Sequence, residues 1–264
     1  MNSKQKLLVA LAGTALSLCS LPANLPSQVL ANQVIDVDLR STVLMNMPIQ
    51  IASINYETPP DPGGNPTGTG GTGGRTTGPC NTTTLVNLTL LVPQSHFAKT
   101  TSEHPTFLWY LSANVSVPVK FTLSEPKVSK PIFEKQIENL KAGITQLEIP
   151  QNVPNLVPGR QYKWAVKLIC NPNKPADDLV EDSPFDTVSS TPELKQQLAN
   201  AKSDQEKAAI YAKAGLWYDA LASIWAAHKA NPKNESIRED FLLLLHQGGL
   251  TEVEAQERQK LPKP

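Results

Sequence analysis

The chain is poor in the residue sets that chemistry requires. Its four histidines, His96, His104, His228 and His246, share no ligand spacing, and neither H-E-x-x-H nor G-x-S-x-G occurs in the 264 residues. A nucleophile paired with a base, or a histidine-held metal, therefore has no footing here. Only hydrolysis by two dispersed carboxylates would leave no local trace, and it stands as the least favoured reading. Charge of one sign is missing too. Lys and Arg number 24, as do Asp and Glu, so the formal net charge is zero. With no basic stripe either, the electrostatic footprint of a nucleic-acid binder is absent.

Long apolar runs are also lacking, with one exception at the start. Lys4 and Lys6 precede LLVALAGTALSLCSL, residues 7–21. This is the pattern of an export signal, cleaved after Ala23 or, better, after Ala31. The run is shorter than the roughly 20 residues of a membrane span. The expectation is an exported protein of the periplasm or cell surface, with no transmembrane domain once the signal is removed. Cys19 falls within the signal. Leu18 stands where a lipobox requires a small residue, so Cys19 is read as part of the signal and not as a lipidation site.

Removal of the signal leaves two cysteines, Cys80 and Cys170. An even pair in an exported protein reads as a disulfide; the alternative is one buried and one exposed free thiol. Residues 32–79 form an extended region that runs into a Gly/Thr/Pro-rich tether. Eight of the fourteen glycines lie between Gly63 and Gly78. Such a composition cannot bury enough apolar surface to offset its ordering entropy. Gly68, Gly70 and Gly73 match G-x-G-x-x-G by spacing alone. No strand precedes them and no helix follows, so no nucleotide site is expected.

Strand signals begin after Cys80. Candidates are 85–92, 105–111, 117–123, 132–137 (a short edge strand), 144–149 and 185–189. The strongest is LVPGRQYKWAVKLIC, residues 156–170, in which a Pro-Gly turn launches a run with Tyr162, Trp164, Val166 and Leu168 on one face. Many short strands with Pro and Gly between them predict an all-β sandwich over residues 80–189. Pro118 within its run suggests an edge or bulge position. L-x-P-G-x-x-Y is similar to the E–F corner of fibronectin type III and immunoglobulin-like modules. That resemblance implies a Tyr162 hydroxyl bonded to upstream backbone, with Trp109 and Trp164 in facing or adjacent core layers. Asp177, Asp178, Glu181, Asp182 and Asp186 read as a solvated acidic loop, calcium binding being the alternative.

Beyond residue 189 the period lengthens to about 3.6. Ser190–Glu193, Ser203–Glu206, Ser236–Glu239 and Thr251–Glu254 match the capping box and predict short helices joined by tight turns. Ala208, Tyr211, Gly215, Trp217, Ala220, Ile224, Ala227 and Pro232 resemble a tetratricopeptide repeat in spacing. Asp204 and Lys207 depart from it at its first aromatic and leucine positions. This places a helical region at 190–250 and a short terminal helix and tail at 251–264. Too few repeats for a free-standing solenoid, the helices are expected to pack on the sandwich or on a partner. The fold class is thus a β-sandwich followed by a small all-α tail, α+β overall and segregated.

HPTFLWYL, PGRQYKWAVKLICNP and AIYAKAGLWYDAL, in this order, resemble a cyanobacterial family called domain of unknown function 928, over roughly residues 80–250. The resemblance implies an exported protein with no established activity. The expected function is an exported, non-catalytic interaction module of the bacterial envelope, an adaptor or scaffold with a protein or peptide partner and no cofactor or metal. The competing reading is a self-associating structural component of the envelope.

Overall fold

The computed structural model describes residues 53–59, 80 and 85–260. The expected export signal and most of the expected Gly/Thr/Pro-rich tether lie outside these residues. Eight strands precede five helices, so the fold is α+β. The strands are β1 (Leu88–Leu90), β2 (Ala98–Thr100), β3 (Thr106–Leu111), β4 (Val119–Ser124), β5 (Phe133–Ile137), β6 (Gly143–Glu148), β7 (Gln161–Leu168) and β8 (Leu179–Thr187). They form a three-stranded sheet, β1-β3-β6, and a five-stranded sheet, β2-β8-β7-β4-β5. All pairings are antiparallel except β2 with β8, which makes the larger sheet mixed.

Strand β7 occupies the centre of the larger sheet. Its period-two pattern buries Tyr162, Trp164, Val166 and Leu168 while Gln161 and Lys163 face solvent. The Pro158–Gly159 turn that starts it has Gly159 at φ +84°, a conformation open to glycine. Tyr162 Oη accepts the backbone N–H of Val157 at 2.9 Å, tying the turn to the strand it launches. The two sheets meet through aromatic rings. Phe107 of β3 lies 5.4 Å from Phe121 of β4, 4.7 Å from Trp164 of β7 and 5.4 Å from Phe185 of β8. Trp109 and Trp164 are both fully buried, and each packs on Phe121, at 6.2 and 5.9 Å.

Two strand-level expectations are corrected. Residues 177–186 are not an acidic loop. After a single 3₁₀ turn at Pro175–Asp177, they enter β8, the longest strand. Asp178, just before the strand, pairs with Lys167 at 2.6 Å; within it Asp182 pairs with Lys163 at 3.6 Å and Asp186 accepts from Gln161 at 3.2 Å, while Glu181 is buried. Cross-strand Lys163, Lys167 and Gln161 of β7 supply the partners that a loop would have taken from water. Pro118 stands just before β4, and β4 lies between β7 and β5, not at an edge. The short strand β2 carries no sequence signal of its own and is held by β8.

The helices are α1 (Pro192–Asn200), α2 (Asp204–Lys213), α3 (Trp217–Ala230), α4 (Glu235–Gln247) and α5 (Thr251–Gln259). Of the four expected capping hydroxyls only Ser203 caps its helix, accepting from Glu206 N at 3.1 Å. Thr191 caps α1, where Pro192 fits the first helical position. Asn234 caps α4, and the Ser236 hydroxyl instead accepts from Gln205 at 3.1 Å. Thr251 is the first residue of α5, after Leu250. Gly215 (φ +71°) and Gly249 (φ +79°) end α2 and α4 in Schellman motifs, with Leu216 N bonded to Tyr211 O and Leu250 N to Leu245 O.

Helix α3 packs into the strands. Tyr218 sits 5.3 Å from Phe107 and 5.2 Å from Phe185, and Trp217 donates its indole N–H to Leu91 O at 2.8 Å. One hydrophobic cluster runs from Ile54 through both sheets to Val253 of α5.

Candidate functional site

Cys80 and Cys170 are joined as a disulfide, with Cα atoms 4.7 Å apart and 90 positions between them in sequence. The bridge fastens the start of the strand region to the end of β7. Of the remaining residues that sequence reasoning singled out, Trp109, Tyr162, Trp164, Trp217 and Ala220 are buried, and Tyr211 is half-buried on α2. Gly215 is buried in the α2–α3 turn. They do not converge on one site. Their role is packing, which for Trp217 and Gly215 includes the close approach of residues 53–59.

The arrangement that does resemble a binding site involves a segment with no local sequence signal, residues 53–59. These residues lie extended in a groove built by α2, α4 and the 91–97 loop, with α3 at its end. Ile54 and Tyr56 point in, 1% and 7% exposed, while Ser53, Asn55 and Glu57 point out. The main chain is read as a peptide would be. Ile54 N donates to Asp240 Oδ1 at 3.1 Å, Tyr56 N to Gln247 Oε1 at 2.9 Å, and Glu57 N to Ala212 O at 3.0 Å. Gln247 Nε2 donates in return to Ile54 O at 3.4 Å.

The floor of the groove is polar and satisfied. Asp240 is buried on α4, and its Oδ2 accepts from Gln205 Nε2 of α2 at 2.7 Å. A carboxylate aimed at a peptide N–H is held in place by this second bond. Tyr56 fills the pocket between Trp217, whose ring meets it edge-on at 5.1 Å, and His96, stacked at 5.6 Å. Its hydroxyl bonds His96 Nε2 at 2.6 Å, and burial pushes its pKa well above the ordinary phenol value. Gly215 lets the segment approach: a Cβ there would stand 2.9 Å from Glu57 O. Here the resemblance-derived glycine has a physical reason beyond its turn.

A second polar cluster lies where α3 meets β2 and β3. Asp219 is buried and accepts the Thr101 N–H at 3.0 Å and the Thr101 hydroxyl at 3.2 Å. Burial pushes its carboxyl up to about 6 against those hydrogen bonds. The adjoining small cavity is lined by Ser102, His104 and Tyr211, among others. His104 Nε2 donates to Val153 O at 2.9 Å. Among the described residues, no three His, Cys, Asp or Glu side chains gather as metal ligands. Nor is any described helix long and apolar enough to cross a membrane.

No curated protein matches the chain. A family model does match, that of Domain of Unknown Function (DUF928), over residues 70–258. This range spans both sheets, the disulfide and all but the last residue of α5. The chain belongs to the DUF928 family.

Proposed function

We propose that this protein is an exported, non-catalytic interaction module of a bacterial, specifically cyanobacterial, cell envelope. In this reading the two sheets are an immunoglobulin-like sandwich with a Tyr162 corner, and α2–α3 a tetratricopeptide-like hairpin. The observation that carries the proposal is the groove holding Ile54–Glu57. It reads an extended main chain through Asp240, Gln247 and Ala212 O, and buries the alternate side chains Ile54 and Tyr56. Backbone bonds for affinity and alternate-residue pockets for selection are the means by which extended peptides are recognised. The partner is an extended segment with an aliphatic residue followed two positions later by tyrosine. An export signal at residues 1–31 supports the envelope location.

A fluorescent peptide of residues 51–59 tests this, titrated into the chain carrying Ile54→Asp and Tyr56→Ala so that its own segment no longer fills the groove. Saturable binding is expected, weakened by a further Asp240→Ala substitution and much weaker with the unaltered chain. Absence of binding to the double variant, with its fold intact by circular dichroism, would sink the reading.

A further inference from the structure

On the other side of α4, away from the groove, α3, α4 and α5 enclose a cleft of about 550 Å³. This is the size of a small-molecule pocket. Pro232, Phe241 and Leu242 supply its apolar wall, and Arg238, Lys233 and Lys260 its cations. Two negative features face them. Glu257 lines the cleft and pairs with Lys260 at 2.6 Å, and Arg238 Nη2 reaches Glu235 and Glu239 only at 4.0 and 3.8 Å.

Five described side chains have a buried polar atom with no hydrogen-bond partner; two of them, His228 Nδ1 and Arg238 Nε, belong to residues that line the cleft, and a third, Trp225 Nε1, belongs to the ring packed behind His228. Buried polar groups are paired in the large majority of cases, and an orphan costs its full desolvation. Trp225 and His228 lie one turn apart on α3, and both pack on Phe241, at 5.2 and 5.7 Å. Of these groups the Arg238 guanidinium can only donate, so the cleft offers a donor beside an apolar surface. Its long pairings with Glu235 and Glu239 leave the Arg238 guanidinium with donor capacity to spare.

We propose that this cleft binds a small amphipathic organic anion. Its carboxylate-type head accepts from Arg238 within reach of Lys233 and Lys260, and its apolar body lies against Phe241, Leu242 and Pro232. The site is separate from the peptide groove and does not depend on the reading of that groove. Charge-assisted hydrogen bonds to a guanidinium select an anion over its uncharged isostere.

Calorimetric titration of the full chain with naphthoate, and with its uncharged amide as control, tests this. Naphthoate is expected to bind saturably and at least about tenfold more tightly than the amide, as a charge-assisted hydrogen bond implies. Arg238→Gln should lose about tenfold in naphthoate affinity, and Lys233→Gln, an exposed position with no folding cost, should lose less. The Trp225 indole N–H signal should move on titration while those of Trp109, Trp164 and Trp217 stay. Equal binding of acid and amide, no naphthoate binding at its solubility limit, or binding that leaves the Trp225 signal unmoved overturns the proposal. If Arg238→Gln does not fold, unchanged affinity in Lys233→Gln also overturns it.

Discussion

Trp164 on β7 donates its indole N–H to the hydroxyl of Tyr218 on α3 at 2.7 Å, and both side chains are buried. This single bond joins the central strand of the larger sheet to the helix that closes the space between the sheets. Tyr218→Phe keeps the ring and removes the acceptor, leaving a buried N–H unsatisfied. The expected loss is about 1–3 kcal/mol. Urea unfolding followed by tryptophan fluorescence measures it, and an unchanged midpoint would show the bond to be energetically idle.

The Cys80–Cys170 bridge closes a loop of 90 residues. The chain-entropy model assigns such a closure about 4–5 kcal/mol, before any native-state strain. Replacing both cysteines with serine should lower stability by an amount of that order. Guanidinium denaturation of the two proteins would measure the difference, with a larger m-value for the chain without the crosslink, whose unfolded state is more expanded.

Asp219 gives the fold a pH signature opposite to that of most carboxylates. Burial raises its folded pKa to about 6, well above the ordinary aspartate value, so the native state holds its proton more tightly than the unfolded chain. Its contribution is fully present below the unfolded value and is lost as pH rises through about 6. The contribution is on the order of 3 kcal/mol. Asp178 and Glu254, whose pKa values are lowered, act in the reverse sense at lower pH. The informative quantity is therefore the difference between the native chain and Asp219→Asn. The native chain should lose stability relative to the variant between pH 4 and pH 7; parallel pH profiles would contradict the assignment.

Gly215→Ala should be costly for two separate reasons. The φ of +71° is strained for any residue with a Cβ, and that Cβ would press on Glu57 O at 2.9 Å. A loss of about 1–3 kcal/mol is expected. Hydrogen exchange would show faster exchange at the Glu57 amide, whose acceptor is Ala212 O.

Asp240→Ala should loosen residues 53–59 without unfolding the sheets. The Ile54 amide loses its acceptor, and Gln205 Nε2 loses one of its two. Selective deprotection of Ile54 and Tyr56 in exchange experiments is the expected result. Deprotection spread equally through β7 would instead mean that the groove and sheets open together.

Strand β7 was legible because its alternation is apolar, its turn is Pro-Gly, and its pattern is complete within eight residues. The disulfide was legible from parity and an inferred compartment. Of strand β8 only the end, residues 185–187, was legible, because two of its earlier buried positions are Glu181 and Ser183, so burial and hydrophobicity part company along it. The caps of α1 and α4 were misplaced by one or two residues because Thr191 and Asn234 are as able to cap as the serines beside them. The groove could not be read at all. Ile54 and Tyr56 look like any extended pair, and the groups that hold them lie 186 and 191 positions away.

That separation has a consequence in time. A chain made from its N-terminus produces Ile54 and Tyr56 long before Asp240 and Gln247. Until α4 exists, the segment has no acceptor for its amides and no pocket for its tyrosine. The first described residues to be synthesised are therefore among the last to find their place. Any partner that meets the growing chain encounters Ile54–Glu57 bare, and meets it covered once synthesis is complete.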